Sequence, residues 1–449
     1  MNKHWIFDRI RANGAKPFLA SKGVIHYYSD LLTEINKIGG LLSKKIPPGI
    51  SIGLVGDYSL SAVAALLWLM QNKNIVVPIT SSSEADIEGR MNEGYCRFAV
   101  SWEDNRALVV KARETVGENH ELIDKLRIVA HSGLVLFSSG SSGRPKAMIH
   151  DLHNLVEMYS ERKSRNLSMV VFLMFDHIGG INTLLNSLAS GLFIVAPMRR
   201  DAEEVAELIE RYNVNILPTS PTFLNLLLLS EAHRRHDLCS LKIITYGTEP
   251  MPESLLFQLR KAFPKVRFLQ TFGTSETGIS RTDSKSSDSL FMKMDDPDIE
   301  HKVVEGELWL RSRTQILGYL NSSMESFTPD GWFKTGDLVE IDTDGYMRII
   351  GRSKEIINVG GEKVTPAEVE SVILELTDVV DCTVFGMPSA ITGQIVATNV
   401  VLKPGANPVV LKQIIRSHCS ARLARYKIPV KVNFVETALF GERFKKKRF

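Results

Sequence analysis

With 449 residues, 44% of them hydrophobic and 23% charged, the chain is long enough for more than one packed domain and has the make-up of a globular protein. The formal net charge is only +3, too small to argue for a broad electrostatic grip on nucleic acid or an anionic membrane. The four cysteines, Cys96, Cys239, Cys382 and Cys419, stand far apart with no C-x-x-C pair, so they read as reduced thiols and not as a disulfide framework or thiolate metal site.

Near the N-terminus, Asp8, Arg9 and Arg11 interrupt the apolar run a signal peptide needs. No apolar stretch reaches the roughly 20 residues of a membrane span, and the expected compartment is the cytoplasm. Short β-branched runs then alternate with helical patterns. Ser51 to Val55 reads as a strand, a helix capped by Asp57 or Ser59 runs to Gln71, and Ile75 to Pro78 returns as a strand. The rhythm continues with a strand over Val170 to Met174, a helix near Asn182 to Ala189 and a strand over Leu192 to Ala196. A helix from Glu203 to Tyr212, a strand from Val214 to Leu217, a helix from Thr222 and a strand from Lys242 to Tyr246 follow. Strands and helices alternating at this spacing indicate layered parallel α/β structure. Ser280 to Leu290 reads as a polar loop.

From about Asp337 the texture changes. Strand-like segments over Tyr346 to Ile350, Cys382 to Phe385 and Val396 to Leu402 surround two helices. One starts at Thr365-Pro366-Ala367-Glu368, a capping box with proline at the first helical position, and the other follows Asn407-Pro408. The reading is a large N-terminal domain over residues 1–351 and a small α+β domain over 352–449, with the boundary near Gly351 to Lys354.

The strongest chemical signal is LVLFSSGSSGRPKAMIH, Leu134 to His150. An apolar strand enters a loop of serines and glycines with one lysine. Glycines let backbone N–H groups converge on an anion, hydroxyls add donors, and Lys146 adds charge. The spacing is not that of a Walker loop. Further along come FDHIGG (Phe175 to Gly180), TYGTEP (Thr245 to Pro250), QTFGTSETG (Gln270 to Gly278), GELWLRS (Gly306 to Ser312), GWFKTGDL (Gly331 to Leu338) and GRSKEIINVGGEKVTPAEVE (Gly351 to Glu370). His177 alone reads as a structural histidine, and its position after the strand Val170 to Met174 brings the functional reading level with that one. Glu276 is different, because a buried carboxylate without a cation is costly.

In this order the segments resemble the motifs of the adenylate-forming superfamily, which comprises acyl- and aryl-CoA ligases, peptide-synthetase adenylation domains and luciferases. The resemblance runs from about Asp30 to the C-terminus and is closest to the CoA ligases, with Phe137 and Ala147 replacing a tyrosine and a glycine of the family's phosphate signature. It implies an α/β fold: a large N-terminal domain of layered subdomains with a small barrel-like β portion, and a mobile C-terminal lid. It implies that Ser138, Ser139, Gly140, Ser141, Ser142, Gly143 and Lys146 hold phosphate and that His177 borders the acyl pocket. Gly247, Thr248 and Glu249 would line the adenine and the acyl pocket. Phe272 would stack on adenine, within an ATP-binding segment that includes Gly273 and Thr274. Ser275 would contact the α-phosphate and Glu276 would help hold Mg²⁺. Asp337 would accept the ribose hydroxyls, two oxygens suiting a vicinal diol, and Arg352 would contact ribose and phosphate. Lys354 falls at the hinge, and Gly360-Gly361 resembles the thiol-tunnel strand.

The family's last motif carries a catalytic lysine. Ungapped matching from Phe434 puts Lys445 there and Arg448 at the following arginine, although Leu439 and Phe444 replace a proline and a glycine. A gapped match through Gly441 lands Glu442 on that position, and Lys446 or Lys447 are further alternatives. Composition alone makes the basic tail Arg443 to Phe449 a solvated, frayed end. The resemblance implies ATP, Mg²⁺ and CoA as cofactors, a small carboxylic acid as substrate, and acyl-AMP as intermediate. Transfer to a carrier protein's phosphopantetheine, with Asp176 pairing the ammonium of an amino acid, is the alternative acceptor reading. A non-catalytic nucleotide-binding homologue is the other.

Overall fold

The computed structural model describes residues 4–103, 107–113, 120–138, 145–436, 439–441 and 446. Packing divides the chain into two compact units. The first comprises Met1–Pro218, Gly273–Ile279 and Arg311–Phe333, and the second Thr219–Phe272, Ser280–Leu310 and Lys334–Phe449.

The first unit contains a seven-stranded sheet in the order Gly318–Tyr319, Ala147–Asp151, Gly133–Phe137, Ile75–Ile79, Ser51–Val55, Phe98–Glu103, Ala107–Ala112. Its centre is parallel and its outer pairings antiparallel. Ser59 caps the helix Leu60–Gln71 by accepting from the Ala62 N–H. That helix buries Val63, Ala64, Ala65, Leu66 and Leu67 consecutively, which is why its sequence shows no polar face. A second sheet runs Ile216–Thr219, Ser168–Val170, Phe193–Ala196, Pro17–Ser21, Val24–Tyr27. The strand expected over Val170 to Met174 is therefore displaced to Ser168–Val170. Beyond it, side chains replace strand neighbours as backbone partners: Arg200 donates to the Phe172 carbonyl at 2.7 Å, and Asp57 accepts from the Phe175 N–H at 3.3 Å.

In the second unit, Ile243–Tyr246 and Arg267–Gln270 pair in parallel. A six-stranded sheet follows in the order Thr282–Ser284, Met292–Met294, Met347–Arg352, Phe333–Ile341, Glu307–Ser312, Ile299–Val304, around a core of Met292, Leu308, Leu310 and Met347. Part of the expected polar loop is thus strand. Its hydroxyls stand in for neighbours, Thr282 donating to the Gln270 carbonyl and Ser284 accepting from the Gln270 N–H.

The C-terminal segment builds its own sheet in the order Glu362–Val364, Ile357–Val359, Gly393–Leu402, Val379–Ser389, with Lys431–Phe434 parallel to Gly393–Leu402. The helices Pro366–Ile373 and Pro408–Ser420 bury Val369, Ile373, Leu411 and Ile415 with Val384 and Val400 of the strands. The break between this sheet and the previous one falls between Arg352 and Ile357. Asn407 caps its helix as expected, accepting from the Val409 and Val410 N–H groups. The expected capping box at Thr365 does not form: Thr365 makes no side-chain cap bond, and Glu368 binds the Lys427 ammonium at 2.6 and 2.8 Å. Charge pairing outcompetes a backbone N–H for that carboxylate.

Candidate active site

In the first unit, the strand that follows the serine–glycine loop and the Glu276 turn meet around one side chain. Ser138 donates its N–H to the Lys146 carbonyl at 3.1 Å, tying the loop's two ends together. Ser139 to Arg144, and with them Ser139, Gly140, Ser141, Ser142 and Gly143 of the expected phosphate cradle, lie outside the described residues. Lys146 is half-buried, its ammonium 4.8 Å from the centre of the Tyr319 ring. The Tyr319 hydroxyl donates to the Glu276 carboxylate at 3.0 Å. Glu276 and Ser275 sit at the tip of a turn closed by Thr274, whose hydroxyl accepts from the Thr277 N–H at 3.1 Å. At Gly273 a Cβ would lie 2.5 Å from the Gly278 carbonyl oxygen, so the strands leading into and out of the turn pass at glycine distance.

His177 caps the helix Ile178–Ser190, its Nδ1 accepting from the Gly179 N–H at 3.1 Å. A Cβ at Gly180 would fall 2.0 Å from the Met174 carbonyl oxygen, which is why the segment reads H-I-G-G. Asp176 is 2% exposed and bound by Arg90 at 2.8 Å, and Arg90 also pairs with Asp86. A guanidinium occupies the partner role the alternative reading gave to a substrate ammonium.

In the second unit, Asp337 and Arg352 face each other in register on antiparallel strands, Nε to Oδ1 2.9 Å. The turn ahead of Asp337 is held by Thr335, which donates to the Leu308 carbonyl, and by Glu307, which accepts from the Gly336 N–H. Phe272 packs its half-buried ring against the six-stranded sheet's core. Thr248 has φ +73°, a left-handed conformation costly for a β-branched residue, and Gly247 lies so close to Thr271 that a Cβ would sit 2.7 Å from its carbonyl oxygen. Glu249 accepts from the Thr222 N–H at 2.7 Å, at the first turn of the helix Pro221–Leu229, and from the Lys446 N–H at 3.2 Å. Burial raises its carboxyl pKa above the usual carboxylate range, against the pull of Thr222 and Lys446. Beside it lies a cavity of about 460 Å³, lined among others by Leu226, Leu255, Leu376, Asp381 and Lys446.

Lys354 is exposed in a single 3₁₀ turn, Ser353–Glu355, between two strands of different sheets. Gly360 and Gly361, at φ +62° and +93°, form the exposed tip of the hairpin joining Ile357–Val359 to Glu362–Val364. Lys445 lies outside the described residues, but Lys446 does not. Its Nζ is 3.1 Å from Asp381 Oδ1 and 3.7 Å from Glu370 Oε2, and donates to the Cys382 carbonyl at 2.9 Å. Burial pulls its pKa down, but Glu370 and Asp381 outweigh this and raise it above the usual lysine value. For this residue the frayed-tail expectation is corrected by carboxylates that recruit the ammonium. Among the described residues, no group of three or more His, Cys, Asp or Glu side chains is arranged to hold a metal, and no helix is long and apolar enough to cross a membrane.

The model of the AMP-binding enzyme family matches residues 6–320, and that of the AMP-binding enzyme C-terminal domain matches residues 368–440. The chain belongs to the AMP-binding enzyme family. It is 27% identical to a 4-coumarate–CoA ligase-like protein of Oryza sativa subsp. japonica, over 93% of this chain and 80% of that one. It is 32% identical to a probable CoA ligase of Humulus lupulus, over 67% of this chain and 59% of that one, so the chain spans less than two thirds of that relative's length. An anthranilate–CoA ligase solved with anthranoyl-AMP superimposes with a TM-score of 0.82 at 21% identity, covering 98% of this chain and 95% of that one. That structure shares the fold, with its large N-terminal and small C-terminal domains.

In this AMP-binding enzyme the sequence motifs did not point to Tyr319 or Asn321. Asn321 donates to the Pro145 carbonyl and accepts from the Ala147 N–H, clamping the residues on either side of Lys146. The strand Gly318–Tyr319 is two residues long and too short for any periodicity to show. His150 is also new: it is fully buried, and neither ring nitrogen makes a hydrogen bond of good geometry. Burial lowers its pKa to about 4, the nearby Thr314 and Ser275 backbone opposing this only in part.

Proposed function

We propose that the chain is an acid–thiol ligase, which joins a small carboxylic acid to ATP as acyl-AMP and then transfers the acyl group to the thiol of CoA. The observation that carries this reading is the meeting of the Lys146 ammonium and the Glu276 carboxylate on opposite features of Tyr319, the ring face and the hydroxyl. Together they provide a cation for phosphate oxygens and an anion for a metal, fixed before any substrate arrives.

In the first step a carboxylate oxygen bonds to the α-phosphorus while the bond to the bridging oxygen of the β-phosphoryl group breaks, releasing pyrophosphate. Lys146 and the serine–glycine loop bind the departing phosphates, and Ser275 donates to the α-phosphate. Asp337, aimed by Arg352, binds the ribose, and Phe272 supplies a stacking face for adenine. Glu276, bound by the Tyr319 hydroxyl, fits Mg²⁺, which takes one or two carboxylates and completes its shell with phosphate oxygens and water. Bound there, the ion would neutralise charge gathering on the phosphates. Lys445 offsets charge between carboxylate and α-phosphate. In the second step the thiol sulfur attacks the acyl carbon, AMP departs, and the thiol proton passes to solvent. The two steps need different closures, one dry and one open to a thiol, and the exposed turn at Lys354 suits a hinge between them. The Gly360-Gly361 tip then lies beside the entering thiol. Neutral or anionic acids suit the site better than amino acids, because Asp176 is already paired with Arg90.

Acid-dependent exchange of labelled pyrophosphate into ATP, screened over a mixed panel of aryl, medium- and long-chain acids, tests this reading. Exchange with at least one acid, followed by thioester formation with free CoA, is the expected result. Absence of exchange with every acid would remove the activity, and transfer only to carrier-protein phosphopantetheine would remove CoA as acceptor.

A further inference from the structure

The segment Ile316 to Asn321 is bonded to both halves of the phosphate site. The Ile316 N–H donates to the Glu276 carbonyl, the Leu317 N–H to the Ile149 carbonyl and the Leu320 N–H to the Ala147 carbonyl, each at 2.8 Å. Gly318 and Tyr319 pair antiparallel with Ile149 and Met148, just past Lys146. From the middle of this bracket Tyr319, 5% exposed, reaches the Glu276 carboxylate with its hydroxyl and offers its ring face to Lys146. A glutamate side chain left to itself samples several rotamers, and a carboxylate that must meet a metal gains from being held in one of them.

We infer that Tyr319 is a positioning residue of the first half-reaction: its hydroxyl fixes the Glu276 carboxylate in the orientation that receives the metal accompanying ATP. This rests on the proposed role of Glu276. A carboxylate offers about four lone-pair sites on its two oxygens, so a donor on Oε1 is compatible with a metal on the same group.

Tyr319→Phe removes the hydroxyl and keeps the ring that packs in the core and faces Lys146. The test is calorimetric binding of ATP to the full chain, with EDTA and with saturating Mg²⁺, for wild type, Tyr319→Phe and Glu276→Gln, alongside pyrophosphate exchange as a function of Mg²⁺. Tyr319→Phe is expected to bind metal-free ATP as wild type does, to lose about tenfold of the affinity gained on adding Mg²⁺, and to need correspondingly more Mg²⁺ for half-maximal exchange. A merely structural role would weaken ATP binding equally with and without the metal. If Glu276→Gln loses the Mg²⁺ gain and Tyr319→Phe keeps it whole, the inference about Tyr319 is wrong and the metal reading stands. If Glu276→Gln keeps the full gain, the metal reading fails first and the inference falls with it.

Discussion

Arg352 donates its Nε to Oδ1 of Asp337 at 2.9 Å, across a register pair of antiparallel strands. Asp337 is 5% exposed whereas the Arg352 side chain is half-exposed, so the arginine is a solvent-facing arm that aims a buried carboxylate. Asp337→Ala is expected to raise the KM for ATP about tenfold to a hundredfold, the range of a lost hydrogen bond to a charged group. Acid preference should not change, since the ribose is remote from the acyl group. Exchange kinetics against ATP with two acids check this, and changed selectivity at normal ATP affinity would contradict it. Arg352→Lys lacks the planar fork and should keep only part of the effect on ATP.

Glu276→Gln keeps the volume and the acceptor oxygen for Tyr319 but loses the charge. It should raise the barrier to adenylation by about 3 kcal/mol or more with an unchanged melting temperature. Pyrophosphate exchange at the wild-type rate in a folded Glu276→Gln protein would take Glu276 out of the site.

The fold was legible where local rules act alone. Ser59 and Asn407 cap their helices by accepting from backbone N–H groups two or three residues on. It was not legible where a distant partner intervened. Glu368 leaves the Thr365 cap for Lys427, and the strand ending at Val170 gives way to backbone bonded by Arg200 and Asp57. The site follows the same division. Motif residues such as Glu276 and Asp337 show in sequence, because their turns are built from residues two or three apart. Tyr319 does not show, because its contacts lie 43 residues away at Glu276 and farther still at Lys146. Lys446 shows only as one of several tail lysines until Glu370 and Asp381 are brought beside it.

His150 gives the protein a built-in acid sensitivity. Its folded-state pKa of about 4 lies below the ordinary 6.5, so the unfolded chain binds a proton that the folded chain refuses. Stability is therefore complete above pH 6.5, falls as the pH drops towards 4, and loses about 3 kcal/mol from this residue over that window. His150→Leu, which fills a similar space with nothing to protonate, should flatten this part of the curve without lowering stability at pH 7.5. Chemical denaturation of both proteins from pH 7.5 to 4 checks it; parallel curves would mean that His150 is protonated in the fold at no cost.

Lys445 and Lys446 separate the half-reactions from the scaffold. Lys446 is bound by Asp381, Glu370 and the Cys382 carbonyl within the second unit, so its substitution leaves two carboxylates without their cation. Lys446→Met should cost about 3–5 kcal/mol of stability, the range for breaking a buried pair from one side. Both half-reactions should then decline together, in proportion to the folded protein that remains. Lys445→Ala should leave the melting temperature unchanged, abolish acyl-AMP formation, and spare thioester formation from supplied acyl-AMP. Substitution at Gly361 should act the other way, blocking the thiol step while adenylation continues. Because Gly361 has φ +93°, any side chain there is strained, so Gly361→Ala is the control and the excess loss in Gly361→Trp is the steric term. Single-turnover adenylation, thioester formation from acyl-AMP and melting temperature, measured on all four proteins, give the answer. A Lys446→Met protein that melts as wild type yet cannot adenylate would make Lys446 the catalytic lysine, released from its carboxylates during the first step. Loss of both steps in Lys445→Ala with a lowered melting temperature would reassign Lys445 to the scaffold. If neither lysine affects adenylation, the charge between carboxylate and phosphate is offset by another cation, and the tail has no part in the chemistry.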